Sequence, residues 1–408
     1  MLATLAALSL GVADPIPRIE LLGTVAIAGD ERDRSRLRTL VGTTPHSRLG
    51  SFGSGIDYTG AGDLYLACDD RGPGDGAFEF RCRVQSLRIT IDSDAKAEYR
   101  VAAEVVATTL LSDERGTPLT GLAAAIDSSS TPHLWPRFDP EGIRILNPAT
   151  AEMLSAPRGA FVISDEYGPA IDLFAPDGRR LQRFDIPQSF RIDRASADPT
   201  EELPPHNLRG RQANRGFEGL AISPTGDKLF AIAQSPLIQD HALSPGNKRR
   251  GVHVRILELE IPTGRTRQFI YTLASPKLGI SELLAIDDHR MLVLERDGEG
   301  GEEARSRAIY QIDLAAATDI STTPALPERD LPAEIIPVAK RPFLDLLDPR
   351  YALAGKNMPE KIEGLTFGPT LPDGRRTLIV TSDNDLKEEQ PTWVWVFAIA
   401  PDALANQR

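Results

Sequence analysis

Residues 214–224, NRGFEGLAISP, place a single glutamate, Glu218, between an aromatic residue and a glycine at the start of an apolar run. Related stretches recur along the chain as FDPEGI around Glu141, LGISELLAI around Glu282 and EKIEGLTFGP around Glu363. Self-similarity at intervals of tens of residues is typical of repeat architectures. The glutamate therefore belongs to a repeated unit, and its role has to be explained for the unit as a whole.

Each unit has the pattern of four antiparallel strands. The glutamate opens a short apolar run, a turn rich in Pro, Gly and Asp follows, and a second run ends in polar or acidic residues, as in FEGLAISP-TGDK-LFAIAQS and SELLAI-DDHR-MLVLERDG. Two further strand-like runs follow in most units. Helical periodicity is confined to residues 343–354.

The repeat predicts an all-β fold, a β-propeller in which four-stranded antiparallel blades surround a central channel. The anchors at positions 54, 141, 218, 282 and 363 favour five blades, with six as the alternative if the proline-rich residues 316–341 contain further strands. The last unit has only three strands, so we expect the N-terminal run PRIELLGTVAI, residues 17–27, to be its fourth. A blade shared by both ends of the chain would close the ring and protect its strand edges.

Composition excludes several classes of function. The chain has 408 residues, 41% of them hydrophobic, and a formal charge of −12, which argues against binding to nucleic acid or to an anionic membrane. No stretch reaches the about 18 to 20 apolar residues that a transmembrane helix needs. Residues 1–13 are predicted to be the remnant of a secretory signal peptide, with a frayed apolar N-terminus as the alternative. Residues 14–408 are predicted to be a single propeller domain, monomeric and either periplasmic or secreted.

The two cysteines, Cys68 and Cys82, fall on what the pattern predicts to be successive strands. They are either joined by one cross-strand disulfide, as an oxidising compartment allows, or left as two buried thiols. Without partnered histidines they do not make a zinc site.

The propeller geometry predicts where the acidic residues meet. The start of the first strand and the end of the second lie on the same face of a blade, because the two strands are antiparallel. Acidic side chains of different blades are therefore expected at one mouth of the channel. They are Glu141, Glu218, Glu282 and Glu363 from the first strands and Asp69, Asp70, Asp165, Glu166, Glu295, Asp297, Asp383 and Asp385 from the second.

Crowded carboxylates repel one another by about 1 to 4 kcal/mol per close pair at dielectric constants of about 80 to 20. Hard cations offset such repulsion, and Ca²⁺ tolerates irregular oxygen ligands better than Mg²⁺. Raised pKa values or ion pairs to the flanking cations Arg71, Arg215, Arg296 and Lys361 are the alternatives. In a purely structural role, each glutamate would instead accept backbone N–H groups of the next blade.

Six stretches together carry a family resemblance. They are DLYLACDDRG, FDPEGI, FVISDEYGPAIDLFAPDGR, NRGFEGLAISPTGDKLFAIAQSPL, ISELLAI followed by LVLERD, and KIEGLTFGPTLPDGRRTLIVTSDND, which span about residues 53–398. In this order they resemble the phytase-like propeller family, described as having esterase-like activity of phytase. The resemblance implies a secreted or periplasmic propeller that hydrolyses phosphate or other esters with calcium. The chain departs from the pattern at Ser54, where the first blade lacks a glutamate, and at Gln234, where the third blade lacks an acid.

The resemblance and the acidic mouth suggest roles for individual residues. The predicted catalytic carboxylates are Glu141, Asp165, Glu218 and Glu363. The predicted substrate-binding cations are Arg71, Arg215, Arg296 and Lys361, since both residue types hold phosphate oxygens. The predicted ligands of Ca²⁺, or of Mg²⁺ as the alternative, are Asp70, Glu141, Glu166, Glu218, Glu282, Glu295, Glu363, Asp383 and Asp385.

Other hydrolytic machineries are missing from the sequence. It has no Arg-His-Gly signature of a histidine-acid phosphatase, no cysteine-phosphatase loop and no Gly-x-Ser-x-Gly elbow. The predicted function is therefore metal-dependent hydrolysis of a small-molecule ester or phosphoester at the channel mouth. Two alternatives stay open, a lactonase-like hydrolase that acts on sugars and a non-catalytic binding module stabilised by calcium.

Overall fold

A computed structural model describes residues 18–93, 98–126 and 137–405. The predicted signal-peptide remnant, residues 1–13, lies outside the described residues. The described strands are β1 (Ile19–Ile27), β2 (Leu40–Val41), β3 (Thr44–Pro45), β4 (Gly55–Tyr58), β5 (Leu64–Cys68), β6 (Arg83–Ser93), β7 (Tyr99–Leu110), β8 (Pro140–Ile145), β9 (Phe161–Asp165), β10 (Ala170–Phe174), β11 (Arg180–Arg183), β12 (Phe217–Ile222), β13 (Lys228–Ala233), β14 (His253–Glu260), β15 (Thr266–Thr272), β16 (Gly279–Ala285), β17 (Arg290–Arg296), β18 (Arg307–Asp313), β19 (Ala339–Asp345), β20 (Lys361–Thr370), β21 (Arg376–Asp383) and β22 (Thr392–Ile399).

Helices are few and short. They are α1 (Pro148–Met153), α2 (Pro401–Leu404) and the 3₁₀ turns Gln188–Phe190, Pro199–Glu202, Ile238–Asp240, Gly301–Glu303 and Pro349–Tyr351. In the part of the chain that the structure describes, no helix is long and apolar enough to cross a membrane.

Five four-stranded antiparallel sheets form the blades of a propeller, as the repeat predicts. From the channel outward the blades are β4-β5-β6-β7, β8-β9-β10-β11, β12-β13-β14-β15, β16-β17-β18-β19 and β20-β21-β22-β1. The inner strands β4, β8, β12, β16 and β20 contact one another in turn and close a ring. The prediction of five blades is confirmed, and the six-blade alternative is wrong. Residues 316–338 contain no strand and instead pack Ile320 and Leu326 against Ile270 on the outer strand of the third blade.

The N-terminal strand completes the last blade, as expected. Strand β1 pairs antiparallel with β22, so that Ile19 lies opposite Ile399 and Ile27 opposite Thr392. Strand β1 also contacts β7 of the first blade, so the outer edges of the last and first blades pack together. The two ends of the described chain thus belong to one sheet, whose β1–β22 pairing holds the ends of the ring together.

The Glu-Gly pairs mark close approaches between neighbouring inner strands. The ladder shifts register around Glu218 in β12 and around Glu363 in β20, and such bulges re-aim the side chain that they contain. A Cβ atom at Gly219 would lie 2.5 Å from the backbone nitrogen of Leu283 in the next blade. Glycine is therefore required there by the neighbouring backbone, while the preceding glutamate turns toward the channel mouth.

The structure decides between the two alternatives for the cysteines. Cys68 ends β5 and lies opposite Val84, not Cys82, so the register separates the two cysteines. Both are buried free thiols. Cys68 donates its S–H to the Glu141 carbonyl oxygen at 2.8 Å, and Cys82 donates to that of Phe138 at 3.2 Å. The disulfide alternative is thus wrong, and the buried-thiol alternative is confirmed.

The helical periodicity of residues 343–354 does not produce an α-helix. Leu344 and Asp345 pair with β18 at the end of β19, and the 3₁₀ turn Pro349–Tyr351 follows. Sheet pairing therefore takes the first part of the segment and leaves too few residues for a stable helix.

Candidate active site

A cavity of about 210 Å³ opens at the face where the inner strands begin and the second strands end. All five blades contribute to its wall, and most of the lining side chains are charged. The lining residues are Asp70, Arg71, Glu141, Glu166, Asn214, Arg215, Glu218, Gln234, Arg249, Lys277, Gly279, Ile280, Ser281, Arg296, Asp297, Gly298, Glu360, Lys361 and Glu363.

The structure brings most of the predicted site residues together around this cavity. They are the carboxylates Asp70, Glu141, Glu166, Glu218 and Glu363 and the cations Arg71, Arg215, Arg296 and Lys361. Asp383 and Asp385 are not among the lining residues, and each forms an ion pair with Lys361.

Three predicted site residues lie away from the cavity and have their own partners. Asp165 accepts the backbone N–H groups of Asp139 and Gly168, each at 3.0 Å, and so shapes the turn after β9. Glu282 is fully buried and pairs with Arg144 at 3.0 Å. Blade four has Leu283 where the other motifs have glycine, and its glutamate points into the channel interior instead of the mouth.

Glu295 is the third of these residues. It is buried between the third and fourth blades, where it accepts hydrogen bonds from the Tyr271 hydroxyl and the Lys340 ammonium, each at 2.7 Å. These contacts tie the two blades together.

Two blades contribute the acidic side of the cavity. Oxygen atoms of Asp70, Asp139 and Glu141 lie within 4.8 Å of one another. The Glu141 carboxylate has neither an ion pair nor a hydrogen bond among the described residues. Glu166 is 2% exposed; its Oε2 lies 3.7 Å from an Arg71 nitrogen, and its Oε1 has no hydrogen-bond partner in the described chain.

Burial and like charges raise the proton affinity of two glutamates of the cavity, Glu141 and Glu218. Burial first, and then the neighbouring Glu218, raise the pKa of Glu141 well above its ordinary value. Burial and the charge of Glu166 do the same to the pKa of Glu218. Burial alone would raise the pKa of Asp70, but the charges of Lys361 and Arg71 outweigh it and lower that pKa. Asp70 is therefore ionised at neutral pH, whereas Glu141 and Glu218 have a high proton affinity.

Three of the four predicted substrate-binding cations are neutralised within the protein. Arg71 pairs with Asp139 at 3.0 Å, and Arg296 pairs with Glu363 at 2.5 Å. Lys361 contacts Asp70, Asp383 and Asp385 at 3.2, 3.4 and 2.6 Å.

The fourth, Arg215, has no carboxylate within ion-pair distance among the described residues. It donates instead to the Gln234 side-chain oxygen at 2.6 Å and to Ser235 at 3.1 Å. Arg249 and Lys277 lie beside it on the exposed rim, also without an ion pair in the described chain. Burial, together with the charge of Arg249, lowers the pKa of Arg215 to about 10. The basic side thus carries three cations that form no ion pair with any described residue.

The two departures from the repeat support neighbouring glutamates. Gln234, which replaces an acid, donates its side-chain N–H to Glu218 while its oxygen accepts from Arg215. Ser54, which replaces a glutamate, donates its hydroxyl to Glu363 at 3.4 Å.

Sequence reasoning missed Asp139, Arg249 and Lys277. Asp139 precedes Glu141 by two residues in FDPEGI, so its place beside the motif was a usable signal. Arg249 and Lys277 lie in connections outside the repeated strands, where the repeat gives no register.

The fold and the cavity define a class of protein, a five-bladed β-propeller with a charged site at one mouth of its channel. The chain belongs to the phytase-like family, described as esterase-like activity of phytase, whose family model matches residues 47–386. The family predicted from the sequence is confirmed.

Individual relatives are distant. A protein of Arthroderma benhamiae named as an uncharacterized secreted protein is 28% identical, and the match covers 64% of this chain and 62% of the relative. Among solved structures, a GH43 β-1,3-galactosidase is similar over 90% of this chain and 94% of its own, with 12% identity and a TM-score of 0.41. The calcium-binding protein regucalcin of Agrobacterium tumefaciens is similar over 92% and 95%, with 13% identity and a TM-score of 0.35. Likeness at this level says nothing about function.

Proposed function

We propose that the protein hydrolyses negatively charged small-molecule esters in this cavity. Phosphate esters are the first class to test. The observation that carries the proposal is the division of the cavity wall. Buried carboxylates lie on one side, where Glu141 has no ion pair or hydrogen bond in the described chain, and Arg215, Arg249 and Lys277 lie on the other side without an ion pair there. A phosphate ester matches both sides, because its negative oxygens need cations and its cleavage needs groups that move protons. Similarity to a protein named as secreted supports a secreted or periplasmic location.

The acidic side fits a hard divalent cation. Oxygens that bind one Ca²⁺ at about 2.4 Å lie at most about 4.8 Å apart. Asp70, Asp139 and Glu141 meet that condition, and Glu166 adds a buried oxygen without a hydrogen-bond partner in the described chain. These residues would hold Ca²⁺, with Mg²⁺ as the alternative. When bound, the ion would polarise the ester and acidify a water molecule.

The chain's own residues divide the remaining work. Arg215, Arg249 and Lys277 bind the negative oxygens of the substrate. Glu218, whose pKa is raised by burial and by Glu166, holds a proton that it donates to the leaving oxygen. Gln234 contacts both Glu218 and Arg215 and keeps them in a fixed relation.

Turnover of a substrate panel tests this function. The purified protein is stripped with a chelator, Ca²⁺ or Mg²⁺ is restored, and 4-nitrophenyl phosphate, 4-nitrophenyl acetate and a sugar lactone are offered. We expect metal-dependent release of 4-nitrophenol from the phosphate ester, lost in Glu218→Gln and kept in the exposed control Glu303→Gln. Calcium binding without any turnover would establish the binding-module alternative, and turnover of the lactone alone would establish the lactonase-like one.

A further inference from the structure

Two clusters of carboxylates lie at the channel mouth, and they share Asp70. One joins Asp70 to Asp383 and Asp385, and the other joins Asp70 to Asp139 and Glu141. Each brings three carboxylate oxygens within 4.8 Å of one another, so the spacing of oxygens alone does not distinguish them. The two clusters differ in the positively charged side chains next to them.

The first cluster already contains a cation. The Lys361 ammonium lies 3.2 Å from Asp70, 3.4 Å from Asp383 and 2.6 Å from Asp385. An ammonium has three N–H donors, and three carboxylates use all of them. We call this arrangement the lysine cage. A metal ion placed there would have to displace the ammonium or sit against its charge.

In the second cluster the Lys361 ammonium contacts only the shared Asp70, at 3.2 Å. Arg71 contacts Asp139 at 3.0 Å and Glu166 at 3.7 Å, which leaves the Glu141 carboxylate without a partner among the described residues. The neighbouring Glu166 is only 2% exposed and lines the same cavity. Its Oε1 has no hydrogen-bond partner in the described chain. A buried carboxylate oxygen without a partner is costly, and its place in the same cavity wall as Glu141 favours a cation on this side.

We propose that the centre binds one divalent cation, among Asp70, Asp139, Glu141 and Glu166, and that Lys361 is a permanent second cation in the lysine cage. The inference rests on the proposed function only in taking the acidic side as the cation site. Asp70 is the link between the two, since it contacts Lys361 and belongs to both clusters. Lys361 thus supplies one cation as part of the chain, and the divalent cation bound from solution supplies the other.

Calcium titration of the chelator-stripped protein by isothermal calorimetry tests the inference. We expect one bound Ca²⁺ in the unchanged protein, none in Glu141→Gln/Glu166→Gln and two in Lys361→Ala. The matched control is Lys387→Ala, since Lys387 contacts Asp385 at 3.0 Å from outside the cage and is 41% exposed. It should keep one ion. Two ions in the unchanged protein, or one ion that survives Glu141→Gln/Glu166→Gln, would overturn the inference.

A second variant keeps the test decisive if Lys361→Ala does not fold. Asp385→Asn retains Lys361 and removes one charge from the cage alone. If the ammonium fills the cage, Asp385→Asn still binds one Ca²⁺ with unchanged affinity. If Ca²⁺ occupies the cage, its affinity falls at least about tenfold, and the inference is wrong.

Failure of the proposed function would look different. The stoichiometry of calcium is measured without substrate, so one ion in the expected place with no turnover of any ester leaves the inference intact and removes the hydrolase. Turnover of a phosphate ester that persists after complete chelation, with no calcium bound, would do the reverse.

Discussion

The guanidinium of Arg144 and the carboxylate of Glu282, 3.0 Å apart, connect the inner strands of all five blades. Arg144 donates to the carbonyl oxygens of Ile56, Ile143, Leu283 and Leu365, which belong to the first, second, fourth and fifth blades. Glu282 accepts the backbone N–H of Leu220 in the third blade at 3.0 Å. This buried ion pair therefore crosslinks the inner strands around the channel.

Removing either partner of this pair should destabilise the fold strongly. We expect Arg144→Met to lower the free energy of unfolding by about 3–5 kcal/mol, because it leaves the buried Glu282 carboxylate without its cation and several carbonyl oxygens without the Arg144 donor. Urea denaturation followed by circular dichroism measures the change. The exposed pair of Arg88 and Glu104 provides the control, and Arg88→Met should cost less than about 1 kcal/mol. A similar small cost for Arg144→Met would mean that the blades hold together without the pair.

The architecture could be predicted from the sequence because its signals are local and repeated. Alternating apolar runs, turn residues and the recurring glutamate identify strands, and the missing fourth strand of the last unit identifies its N-terminal partner. The pairing of β1 with β22 follows from that count of strands alone. The 3₁₀ turn at residues 349–351 was mistaken for part of a helix because sheet pairing of the preceding residues is not a local property.

The distribution of charge at the site could be predicted only in part. The repeat places glutamates at the mouth, but which of them face the cavity depends on partners far away in the sequence. Glu282 turns inward because Arg144, which has no counterpart in the other units, lies in the channel. Arg71 and Lys361 flank the motifs as free cations in the sequence, yet Asp139 and the aspartates of the lysine cage pair with them.

The rim cations should determine the preference for charged substrates. We expect Arg249→Gln and Lys277→Gln each to raise KM for 4-nitrophenyl phosphate about tenfold, the loss of one charge-assisted contact of about 1.5 kcal/mol, while kcat changes little. KM for the neutral 4-nitrophenyl acetate should not change. Lys248→Gln, an exposed neighbour that does not line the cavity, is the control. An equal rise in KM for both esters would assign the two residues to the shape of the cavity and not to its charge.

His46 should make the fold sensitive to mild acid. Burial, and then the charge of Arg83, lower its pKa from 6.5 to about 4, and its Nε2 accepts the Arg81 backbone N–H at 3.1 Å. The unfolded chain therefore binds the proton at a higher pH than the folded chain, so the stability that neutral His46 contributes is lost as pH falls from about 6.5 to about 4. Between pH 7 and pH 5 we expect the free energy of unfolding to fall by about 2 kcal/mol more in the unchanged protein than in His46→Gln, measured by urea denaturation. The exposed His289→Gln should behave like the unchanged protein; a difference of the same size there would exclude His46 as the cause.

The seam between the first and last blades should respond to a single methyl group. A Cβ atom at Gly23 of β1 would lie 2.8 Å from Cγ2 of Val101 in β7, closer than nonbonded carbon atoms normally approach. We expect Gly23→Ala to lower the free energy of unfolding by about 1–3 kcal/mol, the usual cost of overpacking. Adding Val101→Ala, which removes the clashing methyl group, should restore part of that loss, and thermal unfolding of the single and double variants measures the coupling. At Gly298 a Cβ atom meets nothing within 4 Å, so Gly298→Ala is the control. Costs for Gly23→Ala and Val101→Ala that simply add would show that the two strands do not pack as tightly as the closed ring requires.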